Sequence, residues 1–307
     1  MKREILDPKV DFVFKQIFGS EKHPEILIAF LNSVFGTKGT EEEIVSVKIE
    51  NTDVDKDWEN DKFSRLDIKA TANNNTKVNI EIQLKNQYNM KRRTLYYWSK
   101  LFESQMEEGD PYQKLQKTVT INILNFNYLR ENNRYHNTYL LKERETNEVL
   151  TDLQEIHFIE LPKLNADRFK NIDEVESKRD EDNLIPWALF LKNPDSEVIK
   201  MLEERIKELK EAAEMLELLS HDKKARELYE SRQKAIHDQV TNIIGATQEA
   251  REEGKKEGMK LGEEKGIEKG RMKEKIETAK NLLSMGLDIE KVVKATSLNK
   301  EEVEKLK

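Results

Sequence analysis

The sequence predicts an α/β protein, a mixed sheet flanked by helices with a long helical C-terminal extension. Three observations predict it. Between residues 10 and 126 the apolar spacing runs in the order helix, three strands, helix, strand, as expected of a sheet with helices on both faces. The stretch SRLDIKATANNNTKVNIEIQLK, Ser64 to Lys85, alternates apolar and polar residues on both sides of an Asn-rich turn and reads as a β-hairpin. From Asp195 onward the pattern is helical.

Asp7-Pro8 is a plausible start for a first helix carrying Val10, Phe14, Ile17 and Phe18, with Gly19 as its stop. A second helix is expected over Pro24 to Phe35, with Ile26, Leu27, Phe30, Leu31 and Val34 facing inward. Glu43 to Glu50 reads as an imperfectly alternating strand. Thr52 to Lys62, which carries Trp58, reads as a polar loop. After the hairpin, Met90 to Met106 reads as a helix with Leu95, Trp98 and Phe102 on one face, ended by Gly109-Asp110-Pro111. Thr118 to Phe126 alternates as a further strand, and Tyr139 to Leu164 reads as an added hairpin with a charged turn near Arg144 to Asn147.

In the extension, Leu202, Ile206, Leu209, Ala213 and Leu216 step by four and three, a seam suited to one partner helix. Gly254, Gly258, Gly262, Gly266 and Gly270 then repeat every four residues among Lys and Glu. Each such glycine costs a helix about 1 kcal/mol relative to Ala. The repeat is therefore either a tether or a helix whose small face is pressed against another, and the helix is the favoured reading. Ile276 to Leu283, Asp288 to Val293, and Asn299 with Glu302 before Val303 and Leu306 mark three short helices, a possible helix-turn-helix unit.

The hairpin carries the chemistry. Leu66, Ile68 and Ala70 point one way on the first arm and Arg65, Asp67 and Lys69 the other. On the second arm Val78, Ile80, Ile82 and Leu84 are apolar, while Asn79, Glu81, Gln83 and Lys85 share the polar side. With a three-residue loop, Asn73 to Asn75, opposed residues have numbers summing to 148, so that Ile68 faces Ile80 and Asp67 faces Glu81. A two-residue loop would send the two acids to opposite faces. Opposed like charges destabilise a sheet by up to about 1 kcal/mol. A divalent cation between them would compensate, and carboxylates with water are the usual arrangement for Mg²⁺ acting on phosphates.

Composition narrows the alternatives. The chain has 307 residues, 36% of them apolar, enough for one sizeable core plus an accessory region, and 37% are charged, so much of it is solvated surface. A net charge of −7 argues against passive whole-surface binding of nucleic acid but leaves room for a local basic track. The absence of cysteine excludes disulfides and thiolate metal sites, and the five histidines show no ligand spacing. No run of about 18 apolar residues suggests a membrane span, and a soluble, cytoplasmic protein is expected.

Asp67 followed by Glu81-Ile82-Gln83 resembles the active site of PD-(D/E)XK nucleases, and more narrowly that of the recombination-promoting nuclease / transposase family, where Gln often replaces the motif's final Lys. DPKVDFVFKQIFG, RRTLYYWSKLF and VTINILNFN extend the resemblance over about the first 130 residues. EIHFIELPKL, PWALFL and the Gly-rich tail are also similar to segments of that family. The resemblance implies a restriction-endonuclease-like core in residues 1–130, completed by residues 131–194 and followed by the extension, residues 195–307. It implies DNA as substrate, hydrolysed with Mg²⁺ (or Mn²⁺ in its place) held by Asp67 and Glu81, with the Ile82 carbonyl as a third ligand. Gln83 would orient water without taking its proton. Lys85 could reach back toward the phosphate, and Asp11 is the positional match for an acid on the first helix. Lys91, Arg92 and Arg93 are candidates for backbone phosphates, and Arg65 for positioning beside Asp67. The helical tail is expected to drive self-association or to help hold DNA. The bland alternatives are a polar sheet face, a solvated lysine, a helix-start acid and a solvated basic run.

Overall fold

A computed structural model describes residues 5–50, 68–86, 89–169, 171–179 and 182–306. Two compact units divide the chain, residues 1–233 and 234–307.

In the first unit six strands form one mixed sheet in the order β1-β2-β3-β4-β6-β5. They are β1 (Val47–Glu50), β2 (Ile68–Ala72), β3 (Lys77–Gln83), β4 (Thr118–Leu124), β5 (His136–Lys142) and β6 (Val149–Glu160). β3, β4 and β6 run parallel, while β1, β2 and β5 are antiparallel to their neighbours. The helices are α1 (Asp11–Phe18), α2 (Pro24–Phe35), α3 (Met90–Glu103), α4 (Ile172–Arg179), α5 (Ile185–Lys192), α6 (Glu197–Glu203), α7 (Lys207–His221) and the start of α8 (Lys223–Ser284).

Parity along the strands divides the core. Val78, Ile80 and Ile82 of β3, Val119, Ile121 and Ile123 of β4, and Ile159 of β6 pack with α1, α2, α5 and α7 in one large cluster. Its centre is aromatic, with Phe18 against Phe14, Phe30, Trp187 and Phe190. The opposite parity faces α3, where Met90 packs with Leu124, Ile156 and Phe158.

The hairpin has the expected register. Ile68 lies across from Ile80 and Ala70 across from Val78. The loop is Asn73 to Asn75: Ala72 N donates to Thr76 O, Asn75 N to Ala72 O, and Asn75 takes φ +61°. A left-handed third position is what a three-residue hairpin requires, and Asn tolerates it. The Asn73 side-chain oxygen also accepts from Val45 N and Ser46 N, tying the turn to the approach of β1.

Several boundaries differ from the sequence expectation. The first helix begins at Asp11 because residues 8–10 form a turn, with Val10 N bonded to Asp7 O. The first strand is only Val47–Glu50, and Val45 is exposed. In α3 the buried face is Met90, Thr94, Tyr97 and Leu101, whereas Leu95 is exposed and Trp98 is half-buried with Nε1 donating to Thr118 O. The helix thus turns a mixed polar stripe to the sheet, because the sheet face below it is polar as well. The expected hairpin over residues 139–164 forms as β5 and β6, which begin and end a few residues earlier than expected and join the main sheet, with β6 between β4 and β5.

The seam from Leu202 to Leu216 does not continue as one helix, since α6 ends at Glu203 and α7 starts at Lys207. Leu202, Leu209, Ala212 and Leu216 are buried in the first unit's own core, so the seam is used within the chain. Ser220 of α7 accepts from Leu6 N and fixes the N-terminal segment.

In the second unit the glycine repeat is helical, within α8, and an added Cβ at any of the five glycines would meet nothing within 4 Å. The end of α8, α9 (Ile289–Thr296) and α10 (Lys300–Glu304) enclose a small core of Ala279, Val292, Leu298 and Val303. Asp288 caps α9, and Asn299 with Glu302 forms the expected capping box of α10. Among the described residues no helix is long and apolar enough to cross a membrane.

Candidate active site on the polar face of the sheet

The polar parity of β3 and β4 lies beneath α3. Asn79 lies across from Thr120, and Glu81 across from Asn122. The sequence leads one to expect an open working face, but Asn79, Glu81, Thr120 and Asn122 are all buried. Part of this layer is satisfied: Thr94 Oγ1 donates to Asn122 Oδ1 at 2.9 Å, and Asn122 Nδ2 donates to the His157 carbonyl at 3.0 Å. Part is not. Among the described residues, both side-chain polar atoms of Asn79, Oε1 of Glu81 and Oγ1 of Thr120 are buried without a well-formed hydrogen bond. Unpartnered buried polar atoms are costly, so their cluster on one face makes this layer the candidate site.

Glu81 is the centre of this layer. Its Oε2 accepts from Arg93 Nε at 3.2 Å, and the Arg93 guanidinium also lies over the Tyr97 ring, 5.2 Å from its centroid. Burial raises the pKa of the Glu81 carboxyl, and the nearby Arg93 charge and Asn79 carboxamide oppose this without cancelling it.

The other expected residues are distributed as follows. Asp67 and Arg65 lie outside the described residues. The pairing expected to set Asp67 opposite Glu81 holds as far as the last described pair, Ile68 and Ile80. Gln83 is half-buried at the end of β3, its carbonyl accepting from Asn125 N. Lys85 is exposed in a bend past the strand end, so the alternation that would carry it onto the Glu81 face stops before it. Lys91 and Arg92 are exposed at the start of α3, whereas Arg93 turns inward to Glu81. Asp11 sits at the first position of α1. Its Oδ1 accepts from Phe12 N, and its Oδ2 lies 3.7 Å from Arg232, so no described contact joins it to Glu81.

Thr94, Thr120 and Asn122 were legible only as polar parity within otherwise apolar or helical runs. Thr120 and Asn122 alternate with Val119, Ile121 and Ile123 in the same phase as Asn79 and Glu81. That phase was the available signal.

Among the described residues no three His, Cys, Asp or Glu side chains gather as a metal site. The unpartnered oxygens are nonetheless of the right kind. A carboxylate, an amide oxygen and a hydroxyl on one face, with no sulfur, are donors for a hard divalent cation.

The mixed six-stranded sheet flanked by helices is consistent with a restriction-endonuclease-like fold. The chain belongs to the PD-(D/E)XK nuclease family transposases, whose family model matches residues 8–246. No curated protein and no solved structure matches the chain. Membership makes its class a nuclease-type hydrolase, a family in which divalent metals are generally used and DNA is the expected substrate.

Proposed function

We propose that the chain is a Mg²⁺-dependent DNA endonuclease of the recombination-promoting, transposase-like type, with Asp67 and Glu81 as the metal-holding carboxylates and Mn²⁺ as a possible substitute. The observation that carries this reading is the buried Glu81 carboxylate, whose Oε1 has no well-formed hydrogen bond among the described residues, on a strand whose register with β2 has the sum that pairs 67 with 81. Bound there, the ion would supply a hydroxide from water and stabilise charge developing on the phosphodiester.

The chain's own groups have distinct parts in this reading. Glu81 gives an anchoring oxygen, and Arg93 neutralises its second one while the carboxylate is buried. Gln83 orients the attacking water and cannot take its proton. Lys85, exposed just past the end of β3, is an auxiliary candidate, whereas Asp11, the other auxiliary candidate, opens a helix packed on the opposite face of the sheet from Glu81. Lys91 and Arg92 hold backbone phosphates, for which exposed cations at a helix start are suited, and Arg65 positions the nucleic acid beside Asp67. The enzyme would act in the cytoplasm and self-associate through the part of its tail beyond the first unit.

One rival reading is favoured by a specific observation: Gln83 stands where a lysine is usual, and Glu81 is 1% exposed and already paired with Arg93. On that reading the chain is an inactive nuclease relic that binds nucleic acid or protein. Plasmid nicking decides between them. The parent should nick with Mg²⁺ and stop with EDTA, while Asp67→Ala and Glu81→Ala should be inactive with unchanged far-UV circular dichroism. A folded parent that binds DNA with a steep salt dependence yet never nicks with Mg²⁺ or Mn²⁺ would establish the relic.

A further inference from the structure

A second site lies on the opposite face of the sheet from Glu81. His136 of β5 lies across from Ile159 of β6, which packs in the α1, α2, α5 cluster, and the neighbouring His157 ring contacts Phe35 at the end of α2. A cavity of about 580 Å³ opens there, lined by residues 33–36, 133–136, 163–165, 168–169 and 182–183. That volume suits a small organic ligand.

The charges around it are arranged unevenly. Lys163 is fully committed, donating to Glu160 Oε2 at 2.7 Å and to the carbonyls of Leu129 and Asn132. His136 is held neutral at pH 7, with its pKa pushed down to about 4 by burial and by the charges of His157 and Arg134. Its Nε2 lies 2.9 Å from His157 Nδ1, and His157 in turn meets Glu155 at 2.8 Å. The Arg134 and Arg168 guanidinium groups make no ion pair or side-chain hydrogen bond among the described residues, although both line the cavity of a chain with net charge −7. Among the described residues lining the wall Asp182 carries the one carboxylate, engaged by Tyr135 Oη at 2.5 Å and by Leu184 N at 3.1 Å. Its charge keeps an anion away from the Tyr135 end. The half-buried rings of Tyr135 and Phe169 supply flat apolar surface.

We propose that this cavity binds a nucleoside monophosphate, free or as the 5′-terminal nucleotide of a strand, its phosphate on Arg134 and Arg168 and its base against Tyr135 and Phe169. Guanidinium forks match phosphate oxygens in geometry and charge, and an aromatic wall accepts the flat face of any base. Asp182 can then accept from a base N–H donor. The site is separated by the sheet from the face of Glu81, so it stands whether or not that face cuts DNA.

The test is calorimetric titration of the full chain with dAMP, adenosine, inorganic phosphate, and a decamer bearing either a 5′-phosphate or a 5′-hydroxyl. Saturable dAMP binding is expected, with adenosine and phosphate each weaker on the order of tenfold or more. Arg134→Ala and Arg168→Ala should each weaken dAMP on the order of tenfold, and Arg130→Ala, outside the cavity, should not. A phosphorylated decamer that binds better than the hydroxyl form, with the same arginine dependence, identifies the strand terminus as the source. Binding confined to dAMP identifies the free nucleotide. The proposal is overturned if neither dAMP nor the phosphorylated decamer binds, if binding is indifferent to both arginines in folded variants, or if phosphate alone binds as tightly as dAMP.

Discussion

Arg93 Nε donates to Glu81 Oε2 across 3.2 Å, joining the first turns of α3 to the centre of β3 beneath it. Glu81 has a side chain 2% exposed and Arg93 one 19% exposed, so the pair is buried on the acid's side and wet on the other. Removing the cation leaves a buried carboxylate uncompensated, while removing the acid leaves an arginine that can reach water.

Arg93→Ala should therefore destabilise the first unit by about 3 kcal/mol, and Glu81→Gln by clearly less. Urea unfolding of both variants and of the double variant measures the difference. Equal midpoints for Arg93→Ala and the parent would show that the pair does not hold α3 on the sheet.

The hairpin register rests on Asn75 at φ +61°. A β-branched residue is strained there, and Asn75→Val should cost about 1–2 kcal/mol, whereas Asn75→Gly should stay within a few tenths. Thermal melts compare them. A Val variant as stable as the parent would mean that the turn, and with it the 148 register, is not fixed by this residue.

Acid should act on the His136–His157–Glu155 chain in two windows. A histidine with its pKa lowered to about 4 resists a proton that the unfolded chain accepts near 6.5, so its contribution is present above pH 6.5 and is lost as pH falls toward 4. Burial tends to raise Glu155, but hydrogen bonds from His157 and Lys117 win and lower it to about 2; its contribution is present above pH 4.5 and lost between there and 2. His136→Gln should flatten the loss of stability between pH 6.5 and 4 and leave the lower window. Denaturant midpoints at pH 7, 5 and 3.5 read this, and an unchanged slope in the upper window would assign it to another group.

Among the described residues, and apart from the helix's own backbone, nothing stands within 4 Å of an added Cβ at Gly258, Gly262 or Gly266 of α8. Replacing all three with Ala should raise helix stability by up to about 1 kcal/mol per site without changing mass in solution. Loss of an assembly seen by light scattering in the parent would instead show that the bare face packs against another helix.

The hairpin was unusually readable because alternation, loop length and apolar matching all point to one register, and a slip by one residue would expose its apolar face. Pro24 and Gly36 likewise bracket α2 with the residues a helix start and end require. The inward face of α3 is hidden from the sequence because Leu95, Trp98 and Phe102 form the obvious apolar stripe, whereas Met90, Thr94, Tyr97 and Leu101 are the buried residues. The sheet beneath offers Glu81, Asn122 and Thr120 as well as apolar residues, so Arg93, Thr94 and Tyr97 turn inward instead. The Leu202 to Leu216 seam gave no sign of its partner, because periodicity reports which face is buried and not what buries it.

The sequence by itself determined the order of elements and the hairpin with its register, because these follow from local spacing and residue type, and the resemblance of its motifs to a known family implied the nuclease class. Tertiary structure decided that the polar face is roofed by α3, that Arg93 serves Glu81, that β6 enters the sheet beside β4, and that Arg134 and Arg168 line one cavity with His136. Those relationships join residues far apart in the chain, and only the packing of sheet and helices sets their distances and removes the water between them.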